Sequence, residues 1–379
     1  MIKDSLENVV FGNDNTGLGE AFNWGFLTPF DIENKDETSL KIIEEKILQQ
    51  KQLGLKSFKF SLSWSYIMLS ETEVNLESLN FYSKIIAVCL KFELEPFVVF
   101  FDGNTPNWIL EKGGWTNRAI VNWFENYVST VVNCFENKVK HYVVFKETAC
   151  FSEANQFLRK QIPTKKNIEK FISSIHHAVL CQSVAAKTVK KNLTDAQIGT
   201  TFSFYSLNAR TFLIKDLNAT DRADALLNKI FIEPALGLGY PIELIPFLKN
   251  IKKHYLVGDE ELIKTDFDFI FIQNISKVNI GYNSYVPYIN AKIIELKNSS
   301  ILKNEEIIDN TLYQMVLKFS KYKGVKKIFV LDNNFFVSNK FDANKPEGIK
   351  TDAFIQTYFK HFVYIKSRIS KFEGCYFFM

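Results

Sequence analysis

Four short apolar runs in this chain end in residues that can do chemistry. EPFVVFF (95–101) is followed by Asp102 and Asn104, and HYVVF (141–145) by Lys146 and Glu147. DFDFIFIQN closes on Gln273 and Asn274, and KKIFVLDNN on Asp332, Asn333 and Asn334. Two carboxylates brought across one opening suit acid–base or glycosyl-transfer work. One protonates a leaving oxygen while the other acts as nucleophile or base. Glu147 and Asp332 are the candidates for that pair, and Asp102 is a candidate ligand contact. Each also has a plainer role: a relic salt bridge to Lys146 for Glu147, a polar cap on a strand end for Asp332, a solvated loop carboxylate for Asp102. The neighbours Lys146 and Glu147 conflict chemically. An ammonium close to a carboxylate favours the ionised form, and a general acid must keep its proton.

Positioning such groups needs a repeated scaffold. Eight apolar runs read as buried parallel strands: 21–27, 57–64, 95–101, 141–147, 196–204, 266–274, 326–334 and 374–379. Helical patterns lie between them. SLKIIEEKILQQKQLG places Leu40, Ile43, Ile47 and Leu53 on one face and stops at Gly54, and Asn117 is an N-cap candidate for NRAIVNWFENYVSTVVNCFENKV. This alternation is that of an α/β chain, a (β/α)8 TIM barrel in which strand ends carry the site. No Pro, Gly or Ser linker divides the chain, so 1–379 is expected to form a single barrel domain, with 236–265 as an irregular excursion. The eighth run reaches Met379, so the barrel is expected to lack its last helix. A bare wall there would be covered by a second copy or another protein.

Composition narrows the classes. Lys and Arg total 46 against 42 Asp and Glu, a net charge of +4 without a basic block, so nucleic acid is not an expected partner. MIKDSLENVVFGNDN has no apolar core of a signal peptide, and no run approaches the roughly 20 residues of a membrane span. A cytoplasmic protein without membrane contact is expected. Cys89, Cys134, Cys150, Cys181 and Cys375 are far apart, and neither they nor the five His show ligand spacing. Reduced thiols, no metal and no cofactor follow as expectations. His176 and His177 sit in an apolar helical pattern and read as wall packing. Trp64 and Trp115 read as structural.

The chain resembles the family 1 glycoside hydrolases, the β-glucosidase family, over nearly its whole length. LGLKSFKFSLSWSYI is similar to that family's GlkayRFSiSWpRi, and LNFYSKIIAVCLKFELEPFVVFF to its segment ending in ePfVTLyHWDLP. KGGWTNRAIVNWFENYVSTVVNCFENKVKHYVVFKE resembles the stretch leading to TFNEP, and RADALLNKIFIEPALGLGYP a later segment. KIFVLDNN stands where the family has iyiTENG. The resemblance implies retaining hydrolysis of β-glycosides, with Glu147 as acid/base and Asp332 as nucleophile. It also marks departures at the sugar-contacting positions. Lys146 replaces an Asn and Thr148 a Pro. Lys59 stands for the Arg that supports the nucleophile, without the guanidinium's two-point geometry. Asp102, Gly103 and Asn104 replace HWD, Asp31 to Asn34 replace QIEG, and Gln273, Asn274 and Ile275 replace NYY. The family's WSLLDNFEW segment has no counterpart.

Asp332 is one methylene shorter than the family's Glu, which withdraws its carboxylate by up to about 1.5 Å. Retaining pairs stand about 5–5.5 Å apart and inverting pairs about 6.5–9.5 Å, so the shift is toward inversion. Two readings follow. One is a divergent β-glycosidase-like enzyme using Glu147 and Asp332, with Asp31, Lys59, Asp102, Asn104, Lys146, Gln273 and Asn274 around a carbohydrate. The other is an inactive glycosidase-like barrel, a pseudoenzyme, that binds a ligand or a protein.

Overall fold

The computed structural model describes residues 23–27, 37–52, 56–146, 154, 157–158, 164–294, 305–332 and 361–378; for 23–27, 274–276, 305–311, 332 and 376–378 this covers the backbone alone. Nine strands form one sheet: β1 Asn23–Leu27, β2 Ser57–Ser61, β3 Glu95–Phe101, β4 His141–Phe145, β5 Gln197–Ala209, β6 Phe269–Tyr282, β7 Ala291–Ile294, β8 Ile328–Asp332 and β9 Phe372–Phe378. Eight of them pair in parallel around a closed circuit, β1-β2-β3-β4-β5-β6-β8-β9 and back to β1. The ninth, β7, is an antiparallel partner of β6. Every one of the eight apolar runs contributes one barrel strand. The last, β9, ends one residue before Met379.

Period-2 alternation divides the strand residues between two cores. Val98, Phe100, Tyr142, Val144, Ile270, Ile272, Ile328 and Val330 join the large outer core beneath the helices. Phe97, Val99, Val143, Phe269, Phe271, Phe329 and Leu331 form a separate cluster inside the barrel. The ring of Phe97 approaches those of Phe269 and Phe329 to 5.9 and 6.3 Å between centroids, so strands that are not neighbours touch across the interior. Gly199 makes room for this plug: a Cβ there would stand 2.3 Å from the Phe269 ring.

The helices follow their apolar faces. They include α1 Glu37–Gln52, α2 Leu76–Lys91, α3 Ile120–Phe135, α4 Lys165–Asn192, α5 Ile214–Asp224, α6 Ile230–Ala235 and α7 Glu305–Ser320. In α3, Ile120, Phe124, Tyr127, Val131 and Phe135 are buried at three- and four-residue spacing, and the Tyr127 hydroxyl donates to the Phe100 carbonyl at 2.8 Å. Helix 361–368 precedes β9. Asn117 is not the N-cap of α3. That place is Ala119, whose amide donates to Asn117 Oδ1 at 2.9 Å. Asn117 serves the end of the helix from two residues before its cap, and itself caps the C-terminal end of the preceding 3-10 turn, Gly114–Thr116.

The sequence reading also missed how far β5 and β6 continue. They remain paired as far as Ala209 and Ile280, past an irregularity at Phe204/Tyr205. Asn228 pins that irregularity: its Oδ1 accepts from the Tyr205 amide at 2.9 Å and its Nδ2 donates to the Tyr205 carbonyl at 3.0 Å. The excursion 236–265 is irregular as expected, with one 3-10 helix, Pro246–His254, and one short helix, Asp259–Leu262.

Candidate active site

Lys146 marks the end of β4. Its backbone amide donates to the Phe101 carbonyl at 2.8 Å, which ties it to the end of β3. Asp332 is the last residue of β8, in register with Phe377 of β9. Around the barrel, β4 and β8 are separated by β5 and β6 on one side, so these two strand ends open onto the same mouth, three strands apart. Glu147 and Asp31 lie outside the described residues, and the side chains of Asp332 and Asn274 do as well. Asn104 is exposed and Asp102 half-buried just beyond β3. The Asp102 charge reaches the wall, where it helps burial hold the Tyr82 and Tyr127 hydroxyls protonated. Gln273 is 9% exposed at the inner rim of β6, in register with Ser203 of β5.

Lys59 projects inward from the middle of β2, in register with Phe97 of β3. Strand β6 stands opposite β2 in the circuit of eight. The Lys59 Nζ nevertheless lies 4.1 Å from the centroid of Phe271 of β6, so its side chain reaches across the interior to a ring of the opposite strand. It is fully buried and makes no hydrogen bond. Burial first, and the Lys146 charge second, push its amine well below the ordinary ammonium range. The Phe271 ring face offsets part of that penalty for the charged form. Ser203, 4% exposed, also leaves its hydroxyl without a partner.

The tryptophans shape the wall, as expected. Trp64 is 1% exposed and stacks on Tyr127 at 5.4 Å. Trp115 donates from Nε1 to Thr105 Oγ1 at 3.1 Å and so braces the turn after β3. Cys89, Cys134, Cys181 and Cys375 are free thiols; Cys150 lies outside the described residues. No group of three His, Cys, Asp or Glu suited to a metal ion occurs among the described residues.

His176 and His177 belong to the wall, but the first also joins a buried polar cluster that sequence reasoning missed. Arg118 grips Asp259 through two hydrogen bonds, at 2.8 and 2.6 Å. His176 Nε2 meets Asp259 Oδ2 at 3.0 Å, and its ring stacks on Tyr255 at 4.4 Å. Burial alone would raise the Asp259 carboxyl. Arg118, the Leu256 amide and His176 outweigh it and hold that group below its usual range. The cluster ties the start of α3 and the middle of α4 to the excursion.

Comparison with known proteins completes the picture. Residues 36–371 match the model of Glycosyl hydrolase family 1. The 6-phospho-beta-glucosidase GmuD of Bacillus subtilis (strain 168) is 24% identical over 323 residues, 82% of this chain and 70% of that protein. The psychrophilic beta-glucosidase BglU from Micrococcus antarcticus superposes with a TM-score of 0.78 at 20% identity, over 94% of this chain and 87% of that one. The beta-glucosidase from Thermotoga maritima in complex with deoxynojirimycin gives 0.77 at 18% identity, over 94% and 88%.

Proposed function

Because the chain belongs to glycosyl hydrolase family 1, we propose that it is a divergent β-glycosidase that cleaves a β-linked glycoside with two carboxylates. Glu147 is the proton donor and Asp332 the nucleophile or base. The observation that carries this reading is the placement of the two strand ends: Lys146 closes β4 and Asp332 closes β8, three strands apart around one closed barrel mouth. A sugar on the axis between them stands on the apolar plug. Glu147 gives its proton to the leaving oxygen while Asp332, directly or through a water, attacks the anomeric carbon. Lys59, Lys146, Asp102, Asn104, Gln273, Asn274 and Asp31 surround the ligand. The whole chain, 1–379, acts as one barrel domain in the cytoplasm, with a carbohydrate as its ligand and neither nucleic acid nor membrane as partner.

One observation favours a second reading, a barrel that binds without turnover. Lys59, at the position of the nucleophile's supporting Arg, makes no hydrogen bond and is fully buried. A screen of aryl β-glycosides with wild type, Glu147→Gln and Asp332→Asn decides between them. Hydrolysis that falls at least about a hundredfold in either variant supports the enzyme. No hydrolysis of any glycoside by wild type supports the binding barrel. Following the anomeric proton of the first-formed sugar by NMR then reports retention or inversion.

A further inference from the structure

We propose that the ribbon formed by β5, β6 and β7 beyond the barrel, with α5 packed on it, is the face through which two copies of this chain pair about a two-fold axis. β5 and β6 stay paired as far as Ala209 and Ile280, whereas β4 leaves β5 after Gly199 and β8 leaves β6 after Gln273. The pairing does not depend on whether the mouth turns over a glycoside.

α5 inverts the usual pattern of a surface helix. Its buried face holds Asp216, Ala219 and Ala223. Ile214 and Leu217 look to solvent instead, and so do Phe212 and Leu213 just before them. Large apolar residues ordinarily take the inward face. Hydrogen bonds lock the inversion. The Asp216 carboxylate accepts from the Thr211 hydroxyl at 2.7 Å and from the Tyr282 amide at 2.8 Å. Turning the helix to bury Ile214 would break both. The second bond also brings the end of β6 to the start of α5. At the other end of α5, the Arg222 guanidinium donates to the carbonyls of Ile289 and Asn290. The turn between β6 and β7 thus runs alongside α5, and Tyr282, Tyr285 and Tyr288 add three exposed rings to the apolar four. Tyr288 is held at φ 71°, a left-handed conformation unfavourable for a bulky side chain.

These side chains are between 39% and 97% exposed, and together they present about 800 Å². That exceeds the patch of roughly 300–600 Å² usual on a monomer and matches the roughly 800 Å² that each partner contributes to a stable interface. The charges beside the patch select a second copy as the occupant. Lys215 and Asp221 are exposed near opposite ends of α5, and neither closes an ion pair among the described residues. Two α5 helices laid antiparallel about an axis near Asn218 bring Lys215 to Asp221 of the partner subunit, and the symmetry makes the contact twice. The surface is therefore complementary to itself, as an isologous interface requires.

Sedimentation equilibrium of the full chain at about 1 and 100 µM tests this by mass action. We expect a species of twice the 43.9 kDa chain at the higher concentration. Ile214→Lys and Leu217→Lys, each checked by cooperative melting, should raise the dissociation constant at least about tenfold. Lys215→Asp and Asp221→Lys should each weaken pairing, and the double variant should restore it. A monomer at both concentrations overturns the proposal, as does a dimer indifferent to Ile214→Lys and Leu217→Lys. A double variant that stays weak overturns the two-fold arrangement. Should the variants not fold, hydrogen exchange of wild type decides: added protection over 210–221 and 282–290 at high concentration supports the interface, and protection confined to other segments overturns it. A monomer that floats with phosphatidylcholine vesicles assigns the patch to lipid and overturns the pairing.

Discussion

Lys59 and His177 are buried bases, and burial acts on both in the same direction. Lys59 has no packing role that an apolar chain could not fill. Lys59→Met should therefore stabilise the fold by about 1–3 kcal/mol, read as a higher urea midpoint at pH 7. His177 donates from Nδ1 to the Trp115 carbonyl at 2.8 Å, and burial is the main cause that lowers it to about 4. In the unfolded chain a histidine titrates near 6.5, so between these values the unfolded state binds the proton and the folded state does not. Stability is then complete above about pH 6.5 and falls by roughly 3 kcal/mol as pH drops toward 4. Urea melts of His177→Asn across that window should show a flatter curve than wild type. At this scale the sequence was legible in its strand-end polar groups, and the family resemblance assigned Glu147 and Asp332 their roles. The isolation of Lys59 was not legible, because the lack of a partner depends on what the opposite strand presents.

At the scale of elements, the eight strands were legible because both faces of each are buried, which writes an unbroken run of Phe, Val and Ile. The continuation of β6 was missed because NISKVNIGY is polar and alternating. Its pairing comes from the extension of β5, and Asn228 fixes the register. Gly199 shows how tightly β5 meets the plug. Gly199→Ala places a methyl group 2.3 Å from the Phe269 ring and 2.5 Å from its carbonyl oxygen, and a loss of about 1–3 kcal/mol or more is expected in denaturant melts. The Arg118–Asp259 pair was invisible in the sequence because its members are 141 positions apart and one lies in the irregular excursion. Asp259 is only 2% exposed, so Arg118→Ala leaves a buried carboxylate behind. It should cost about 3–5 kcal/mol, with early loss of protection from hydrogen exchange over 240–262.

For the molecule as a whole, identity near 18–20% still leaves a TM-score of 0.77–0.78 to solved β-glucosidases. Burial pattern is enough to keep a barrel even where the polar rim has changed. Closure is the global constraint. β9 pairs with β8 on one side and β1 on the other, Trp24 lying opposite Cys375. Ending the chain before Phe372 should leave two open parallel edges, and soluble expression should fall sharply while the full chain remains soluble. The same seam sets an order of events during synthesis. A ribosome must deliver Cys375 before Trp24 acquires its second neighbour, so the strands before β9 wait as an unclosed sheet until it emerges. Closure of the barrel therefore waits on β9, whatever the speed at which the earlier helices form.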